Sequence, residues 1–261
     1  MRRERAPLVF GILAAIGAAF FIVPLAGLII GTPWGTALQS LTAPETLEAL
    51  RLSLVASLSA TGLALVLGVP LAWVYARIDF PGRTVLRALT TLPMVLPPVV
   101  GGIALLVAFG RRGLLGSWLD SAFGITLPFT TAGVVMAETF VAMPFLVLTV
   151  EAGLRSMDRR YEEAARTLGA HRWTIFMRVT LPLIAPSVLA GAVLCWARAL
   201  GEFGATITFA GNIQGRTQTI PLAVYLLLQN NLDGAIALSL VLLAVSIVVL
   251  ALLRDRWLGH V

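Results

Sequence analysis

Most of the ionisable side chains that could take part in chemistry lie in one segment, residues 155–182. Within it, Asp158 precedes the paired carboxylates of Glu162 and Glu163 by about one helical turn. Asp158 is therefore predicted to cap a helix whose first turn holds both glutamates, because carboxylates suit the positive end of the helix dipole. Gly169 is placed to end this helix, since glycine tolerates the left-handed conformation that closes one.

A second short amphipathic run follows and is expected to end where Pro182 breaks the helix. The first run carries an apolar face, which is formed at helical spacing by Tyr161, Ala164, Ala165 and Leu168. Two short helices, each with one apolar and one charged face, are typical of a docking element. A membrane-surface loop that binds no partner is the alternative interpretation of the same pattern.

Residue types that the sequence lacks argue against several classes of protein. All 19 basic residues are arginine, so neither a P-loop lysine nor a Schiff-base lysine is available. MgATP, if used, would have to be held by another polypeptide. His171 and His260 lie far apart without a cysteine cluster and make a poor metal site. No basic stripe with interleaved aromatic residues indicates nucleic-acid binding. We therefore predict no catalytic, cofactor or metal site in this chain.

The composition indicates a membrane protein. Of the 261 residues, 58% are hydrophobic and only 12% are charged, and the mean hydropathy is +0.92. A soluble domain of this length could not bury so much apolar surface. We therefore predict a single all-α membrane domain over residues 1–261, with lipid as its solvent and the lone Cys195 as a small core residue.

Apolar runs of about 20 residues, the length that crosses a bilayer, predict six transmembrane helices. They lie at about 7–30, 50–76, 85–109, 129–150, 183–200 and 235–253. The first is predicted to be a retained span, because it is longer than the apolar core of an ordinary signal peptide. Residues 205–234 are too polar to cross, and a short helix at about 218–229 is expected to lie outside the membrane or to dip partway in.

Prolines and glycines interrupt the third run. Pro97, Pro98 and Gly101 lie near its centre, so a straight helix is not expected. A broken backbone at membrane depth is tolerated only where protein or a water-filled cavity surrounds it. These three residues are therefore candidates for the lining of a transport pathway, with a kinked structural helix as the alternative.

Ionisable residues within the apolar runs form a second candidate position. Arg198 and Glu202 are four residues apart, so on one helix they share a face and neutralise each other. Such residues usually face a bundle interior or an aqueous route. With Glu138 and Thr206 they are candidates for a pathway or gate, and an ion pair that only maintains helix geometry is the alternative. An intramembrane enzyme is disfavoured, because these groups and Cys195 match no nucleophile–base arrangement.

The distribution of arginine predicts the orientation. Six spans place both termini on the same side as segment 155–182, and 14 of the 19 arginines flank that side, whereas four lie on the other. The positive-inside rule then places both termini and the segment in the cytoplasm.

Segment 155–182 resembles the EAA loop of the ABC importer permeases. The resemblance is carried by Glu163-Ala164-Ala165, Gly169 and Val179-Thr180-Leu181-Pro182. In that family the loop is cytoplasmic and docks into a cleft of an ATP-hydrolysing partner. The resemblance implies a type I ABC importer permease fold with a coupling loop formed by Glu162, Glu163, Ala164, Ala165, Leu168, Gly169, Arg172, Leu181 and Pro182.

Residues 197–221 resemble the molybdate permeases of this group, on the Gly201-Glu202-Phe203-Gly204 core and the Thr-Gln-Thr-Ile-Pro run that ends at Pro221. The resemblance implies a homodimer in the cytoplasmic (inner) membrane, two copies of an ATPase subunit that holds MgATP, and an extracytoplasmic oxyanion-binding protein. Sulfate, tungstate or another solute stays open as the cargo. An ion-coupled secondary transporter is less favoured, since no second half with matching broken helices is visible.

Overall fold

The computed structural model describes residues 8–257, and the side chains of all of these except residues 38 and 249–257. The arginine-rich head that precedes the first span, and His260, lie outside the described residues. The helices of the described chain are α1 Leu8–Ile30, α2 Trp34–Leu41, α3 Pro44–Arg77, α4 Arg83–Thr91, α5 Pro98–Phe109, α6 Gly116–Phe123, α7 Thr131–Ser156, α8 Arg160–Thr167, α9 Arg172–Ile175, α10 Leu181–Leu200, α11 Gly204–Phe209, α12 Ile220–Asn230 and α13 Leu232–Trp257. A 3-10 turn, Leu92–Met94, follows α4, and a π-turn, Phe176–Thr180, joins α9 to α10.

Four helical stretches in the described chain are long and apolar enough to cross a membrane. They are α1, α3, α7 and the continuous stretch Arg172–Leu200, and they correspond to the first, second, fourth and fifth predicted spans. A fifth is added if α4 and α5 form one broken span. The sixth predicted span coincides with α13, whose side chains are described only as far as residue 248, and it stays a prediction.

The interruption expected in the third predicted span is present. The chain bends by 118° between Arg83–Met94 and Pro98–Phe109. Pro98 is the first residue of α5 and follows Pro97, which lies outside the helix. Proline is accommodated at a helix start, because the N–H that it lacks would have no helical acceptor there. Pro98 therefore begins the second helical segment, whereas the first ends at Met94, before Pro97.

Two other helices extend beyond the stretches that were predicted as spans. α3 begins at Pro44 rather than near residue 50, because Pro44 and Glu45 suit the first turn of a helix. α7 extends to Ser156 rather than to about residue 150, and its start is capped by the Thr130 hydroxyl, which accepts a hydrogen bond of 3.1 Å from Gly133 N–H.

The largest core cluster lies where α3, α7 and α10 pack together. Small residues allow this close approach. A Cβ added to Gly68 would lie 2.9 Å from Leu146 Cδ2, and one added to Gly191 would lie 3.3 Å from Leu146 Cα. Cys195 is buried in this cluster, as expected. In contrast, α1 has no buried residue.

A second cluster joins α5, α7 and α11 through Leu105, Ala137, Val141, Ala205 and Phe209. It brings together the elements that carry the candidate pathway residues. The short helix expected at about 218–229 is α12, which packs against α13 through a third cluster. Its location relative to the membrane stays a prediction.

Candidate functional site

Segment 155–182, called the elbow below, contains two short helices and the π-turn. α8 begins at Arg160, whose N–H donates a hydrogen bond of 2.9 Å to Asp158 Oδ1. The residue at the N-cap is Arg159 rather than the predicted Asp158, so Asp158 contacts the start of the helix from one residue before the cap. Gly169 follows the last turn with a φ of +78°, and its N–H donates to Arg166 O at 3.0 Å. The left-handed glycine that was expected to close this helix is therefore confirmed.

The helix break predicted at Pro182 was wrong. α9, the π-turn and α10 form one continuous stretch, in which Leu181 N–H donates to Phe176 O, five residues back. Pro182 lies in the first turn of α10. Within a regular helix, proline lacks the donor for the carbonyl four residues back and its ring collides with that carbonyl. The wider π-turn just before Pro182 relieves this conflict, so the helix continues.

Three large apolar side chains of the elbow are exposed. Tyr161, Leu168 and Trp173 are 58%, 88% and 64% exposed, and Glu163, which is rotated by about 200° from Tyr161 around α8, is exposed as well. Large apolar side chains that are exposed together and surrounded by charge indicate a contact surface. We call these four residues the outer face of the elbow.

Glu162 differs from Glu163, although sequence reasoning grouped the two. Glu162 is 8% exposed. Its carboxylate lies 3.2 Å from Arg77 Nε and accepts a hydrogen bond of 2.8 Å from Thr180 Oγ1. Arg77 is the last residue of α3, and its Nη1 donates to Leu154 O of α7 at 2.9 Å. Glu162 therefore connects the inner side of α8 to α3 and to the π-turn, and through Arg77 to α7.

A second buried carboxylate lies beneath the elbow. Glu151 of α7 is 3.0 Å from Arg87 Nε of α4 and 2.7 Å from Arg155 Nη2. Tyr75 of α3 is fully buried, and its hydroxyl lies 2.7 Å from Thr90 Oγ1 of α4. These contacts hold α4 against α3 and α7. We call α4, the bend that follows it and α5 (residues 83–109) the broken segment.

Sequence reasoning missed Arg77, Arg87, Glu151 and Thr180. Arg77 and Glu162 are 85 residues apart, so no local spacing indicates that they pair. The available signal was Glu151, a carboxylate at the end of an apolar run, because a buried charge requires a partner.

The elbow and the end of α3 border an open cleft of about 790 Å³. Its walls include Trp73 of α3 and Phe176 of the π-turn. Four of the predicted coupling residues line it, namely Glu162, Glu163, Gly169 and Arg172. The other predicted coupling residues lie away from the cleft, in the remainder of α8, at Leu168 and in the first turn of α10.

The ion pair predicted at the end of α10 forms. Arg198 Nη2 lies 2.6 Å from Glu202 Oε2, and Glu202 is 1% exposed. Its second oxygen accepts a hydrogen bond of 2.8 Å from Ala205 N–H. Glu202 therefore fixes the turn that connects α10 to α11.

The start of α5 lies directly against the start of α11. A Cβ added to Gly204 would lie 2.8 Å from Pro98 Cβ. Pro97, which directly precedes α5, and Gly101 in its first turn flank this contact. The broken segment thus meets the chain two residues after Glu202, and the two candidate positions of the pathway are brought together.

Two further candidates in this region, Glu138 and Thr206, are buried at 1% and 0% exposure. Glu138 Oε2 and Thr206 Oγ1 have no hydrogen-bond partner in the described chain, and the Glu138 carboxyl interacts electrostatically with that of Glu202. In contrast, Pro97 and Pro98 are exposed. The candidate pathway residues therefore lie near one another, but the buried and the exposed ones do not line one common open cavity. In the part of the chain that is described, no group of three His, Cys, Asp or Glu residues could hold a metal ion.

Comparison with known proteins finds one family model, described as "Binding-protein-dependent transport system inner membrane component", which matches residues 64–260. The chain is 49% identical over 238 residues to the molybdenum transport system permease protein ModB of Mycobacterium tuberculosis, covering 90% of this chain and 89% of that protein. It is 44% identical to ModB of Escherichia coli K12, covering 85% and 96%. The sulfate transport system permease protein CysT of E. coli K12 is 38% identical, with 88% and 84% covered.

Among solved structures, the chain is similar to a bacterial ABC transporter involved in the import of the acidic polysaccharide alginate. The TM-score is 0.73 at 20% sequence identity, with 97% of this chain and 96% of that chain covered. The MetNI methionine ABC transporter gives a TM-score of 0.56 at 16% identity, with 84% and 97% covered. At these identities the likeness shows the fold alone, which is the all-helical fold of ABC importer permeases.

Proposed function

Since this chain belongs to the family of binding-protein-dependent transport system inner membrane components, we propose that it is the membrane-spanning subunit of an ATP-driven importer of molybdate. The observation that supports molybdate as the transported solute is the sequence identity of 44–49% to molybdenum permeases over 82–90% of the chain. The sulfate permeases match at 37–40%, which makes sulfate the second candidate. The chain is a transport component, and ATP hydrolysis is assigned to a partner.

The proposed transporter contains two copies of this subunit, each with six spans and both termini in the cytoplasm. Two copies of an ATPase subunit, which hold MgATP, sit on the cytoplasmic face, and an extracytoplasmic protein delivers the oxyanion. Support for the partners comes from the family and from a relative in fold that was crystallised with its substrate-bound periplasmic protein.

In this proposal the elbow is the coupling loop. Its outer face, with Tyr161, Leu168, Trp173 and Glu163, docks into a cleft of the ATPase. Burial of the three apolar side chains supplies affinity, and Glu163 meets a basic residue of the partner. The exposure of these apolar groups in the isolated subunit supports a covering partner. ATPase closure then moves the elbow and opens the pathway alternately to each side.

The pathway is proposed to pass the contact between α5 and α11, near Arg198, Glu202 and the prolines of the broken segment. Tetrahedral dianions are bound through N–H and O–H donors. Arg198, the cationic side chain at this position, is already paired with Glu202, so we expect weak binding by this subunit, with selectivity residing in the delivery protein.

The cargo is tested by uptake in a bacterial strain that lacks its own molybdate and sulfate carriers. The subunit is expressed with its ATPase and delivery protein, and uptake of radiolabelled molybdate is measured against excess unlabelled sulfate. We expect ATP-dependent molybdate uptake that sulfate competes with poorly. Sulfate uptake with little molybdate uptake would identify the second candidate, and uptake without the ATPase would contradict an ATP-driven importer.

A further inference from the structure

Two neighbouring carboxylates of α8 differ in their exposure. Successive residues of an α-helix are rotated by about 100°, and Glu163 is exposed whereas Glu162 lies in a buried ion pair, although both border the same cleft. A residue that is 8% exposed is not available to a docking partner. Glu162 was expected to belong to the docking surface, but its surroundings assign it another role.

Glu162 is held at both oxygens. Its Oε1 accepts hydrogen bonds from Thr180 Oγ1 at 2.8 Å and from Arg77 Nη2 at 3.3 Å, and its Oε2 lies 3.2 Å from Arg77 Nε. The side chains of Arg77 and Glu162 are 7% and 11% exposed. An ion pair that is shielded from water and whose carboxylate accepts hydrogen bonds from two residues is geometrically specific. It forms a joint between α8, the π-turn and the end of α3.

Further contacts link the end of α3 and the neighbouring part of α7 to the broken segment. Tyr75, two residues before Arg77, contacts Thr90 of α4, and Glu151 pairs with Arg87 of the same helix. α4 continues through the 118° bend into α5, whose first turn touches Gly204 of α11. A continuous series of contacts therefore connects the inner side of the elbow to the turn held by Glu202.

We propose that Glu162 is a positioning residue for coupling, which transmits movement of the elbow to α3 and the broken segment through Arg77 and Thr180. This inference rests on the proposed function, because it requires an ATPase that moves the elbow. It divides the two glutamates by role: Glu163 contacts the ATPase, and Glu162 converts that contact into movement of the bundle.

The test compares transport with ATP hydrolysis in proteoliposomes that contain the complete transporter and its delivery protein. In Glu162→Gln the outer face is unchanged, so the ATPase subunit should co-purify as with the parent. The amount of molybdate transported per ATP hydrolysed should fall by roughly tenfold or more, within the usual range of coupling between sites. Arg77→Lys, which keeps the charge but loses the planar fork, and Thr180→Val, which removes one hydrogen bond, should give smaller losses.

Two further variants make the test specific. The exchange of charges in Glu162→Arg with Arg77→Glu should recover part of the lost transport per ATP. Asp120→Asn removes an ion pair with Arg111 whose arginine side chain is 75% exposed, and it should change nothing.

Three results would overturn the inference: a parental transport ratio in Glu162→Gln, loss of the ATPase subunit from that variant, or a charge exchange no better than either single substitution. Each variant is compared with the unsubstituted transporter, which must itself import molybdate. If the proposed function is wrong, the unsubstituted transporter will be inactive, and this result is distinct from the three above.

Discussion

Replacement of Gly204 by alanine tests whether α5 and α11 are in direct contact. The new Cβ would lie 2.8 Å from Pro98 Cβ and 3.1 Å from Val99 N, whereas carbon atoms in ordinary contact are about 3.5–4.0 Å apart. A flexible neighbour could rotate away, but Pro98 is a rigid ring at the start of α5 and Val99 N is backbone. The two helices must therefore separate by several tenths of an ångström or more.

Overpacking of this kind costs about 1–3 kcal/mol in well-packed proteins. For a chain of this size each kcal/mol lowers the melting temperature by roughly 2–4 °C. We therefore expect Gly204→Ala to lower the apparent melting temperature by several degrees. Because the contact adjoins the candidate gate, molybdate uptake should fall as well.

The assay is thermal unfolding of the purified subunit in detergent. Unfolding is measured as the loss of the monodisperse gel-filtration peak after heating. Gly62→Ala is the matched control, because a Cβ on Gly62 meets nothing within 4 Å; it should leave the melting temperature unchanged or raise it slightly. If Gly204→Ala has the same melting temperature as the unsubstituted subunit and transports molybdate normally, α5 and α11 are not in the contact described.

Other predictions concern the elbow, the start of α7 and the buried ion pair. Glu163→Lys should abolish co-purification with the ATPase while leaving the subunit inserted in the membrane, and normal ATP-coupled uptake by this variant would refute the docking role. Thr130→Ala removes the acceptor for Gly133 N–H and should cost about 1 kcal/mol, measured as a lower melting temperature; an unchanged temperature would show that the cap contributes nothing. Glu202→Ala leaves Arg198 without its partner and should destabilise by roughly 3–5 kcal/mol, whereas Glu202→Gln retains a hydrogen-bond acceptor and should give a higher yield of folded protein. Equal yields would contradict this difference.

Features that depend on neighbouring residues could be predicted from the sequence. The left-handed Gly169, the Arg198–Glu202 pair and the interruption at Pro97 and Pro98 each follow from spacing or from the backbone preferences of one residue type. Such preferences act within one or two turns, so they hold whatever the rest of the chain does.

Features that depend on distant contacts could not be predicted. The burial of Glu162 requires α3 to end beside α8, and sequence spacing carries no information about an arginine 85 residues away. Pro182 was misjudged for a related reason: a π-turn at Phe176–Thr180 has no clear sequence signal, and it changes how the following proline fits.

The lack of buried residues in α1 has a consequence for how this subunit responds to its bilayer. A helix of 23 residues is about 35 Å long, which exceeds a hydrocarbon thickness of about 30 Å. Since no side chain of Leu8–Ile30 is buried by the rest of the subunit, we expect α1 to tilt more freely than the packed helices in response to a hydrophobic mismatch. Lipids with longer acyl chains should make it more upright, while the tightly interlocked helices around Leu146 keep their mutual angles.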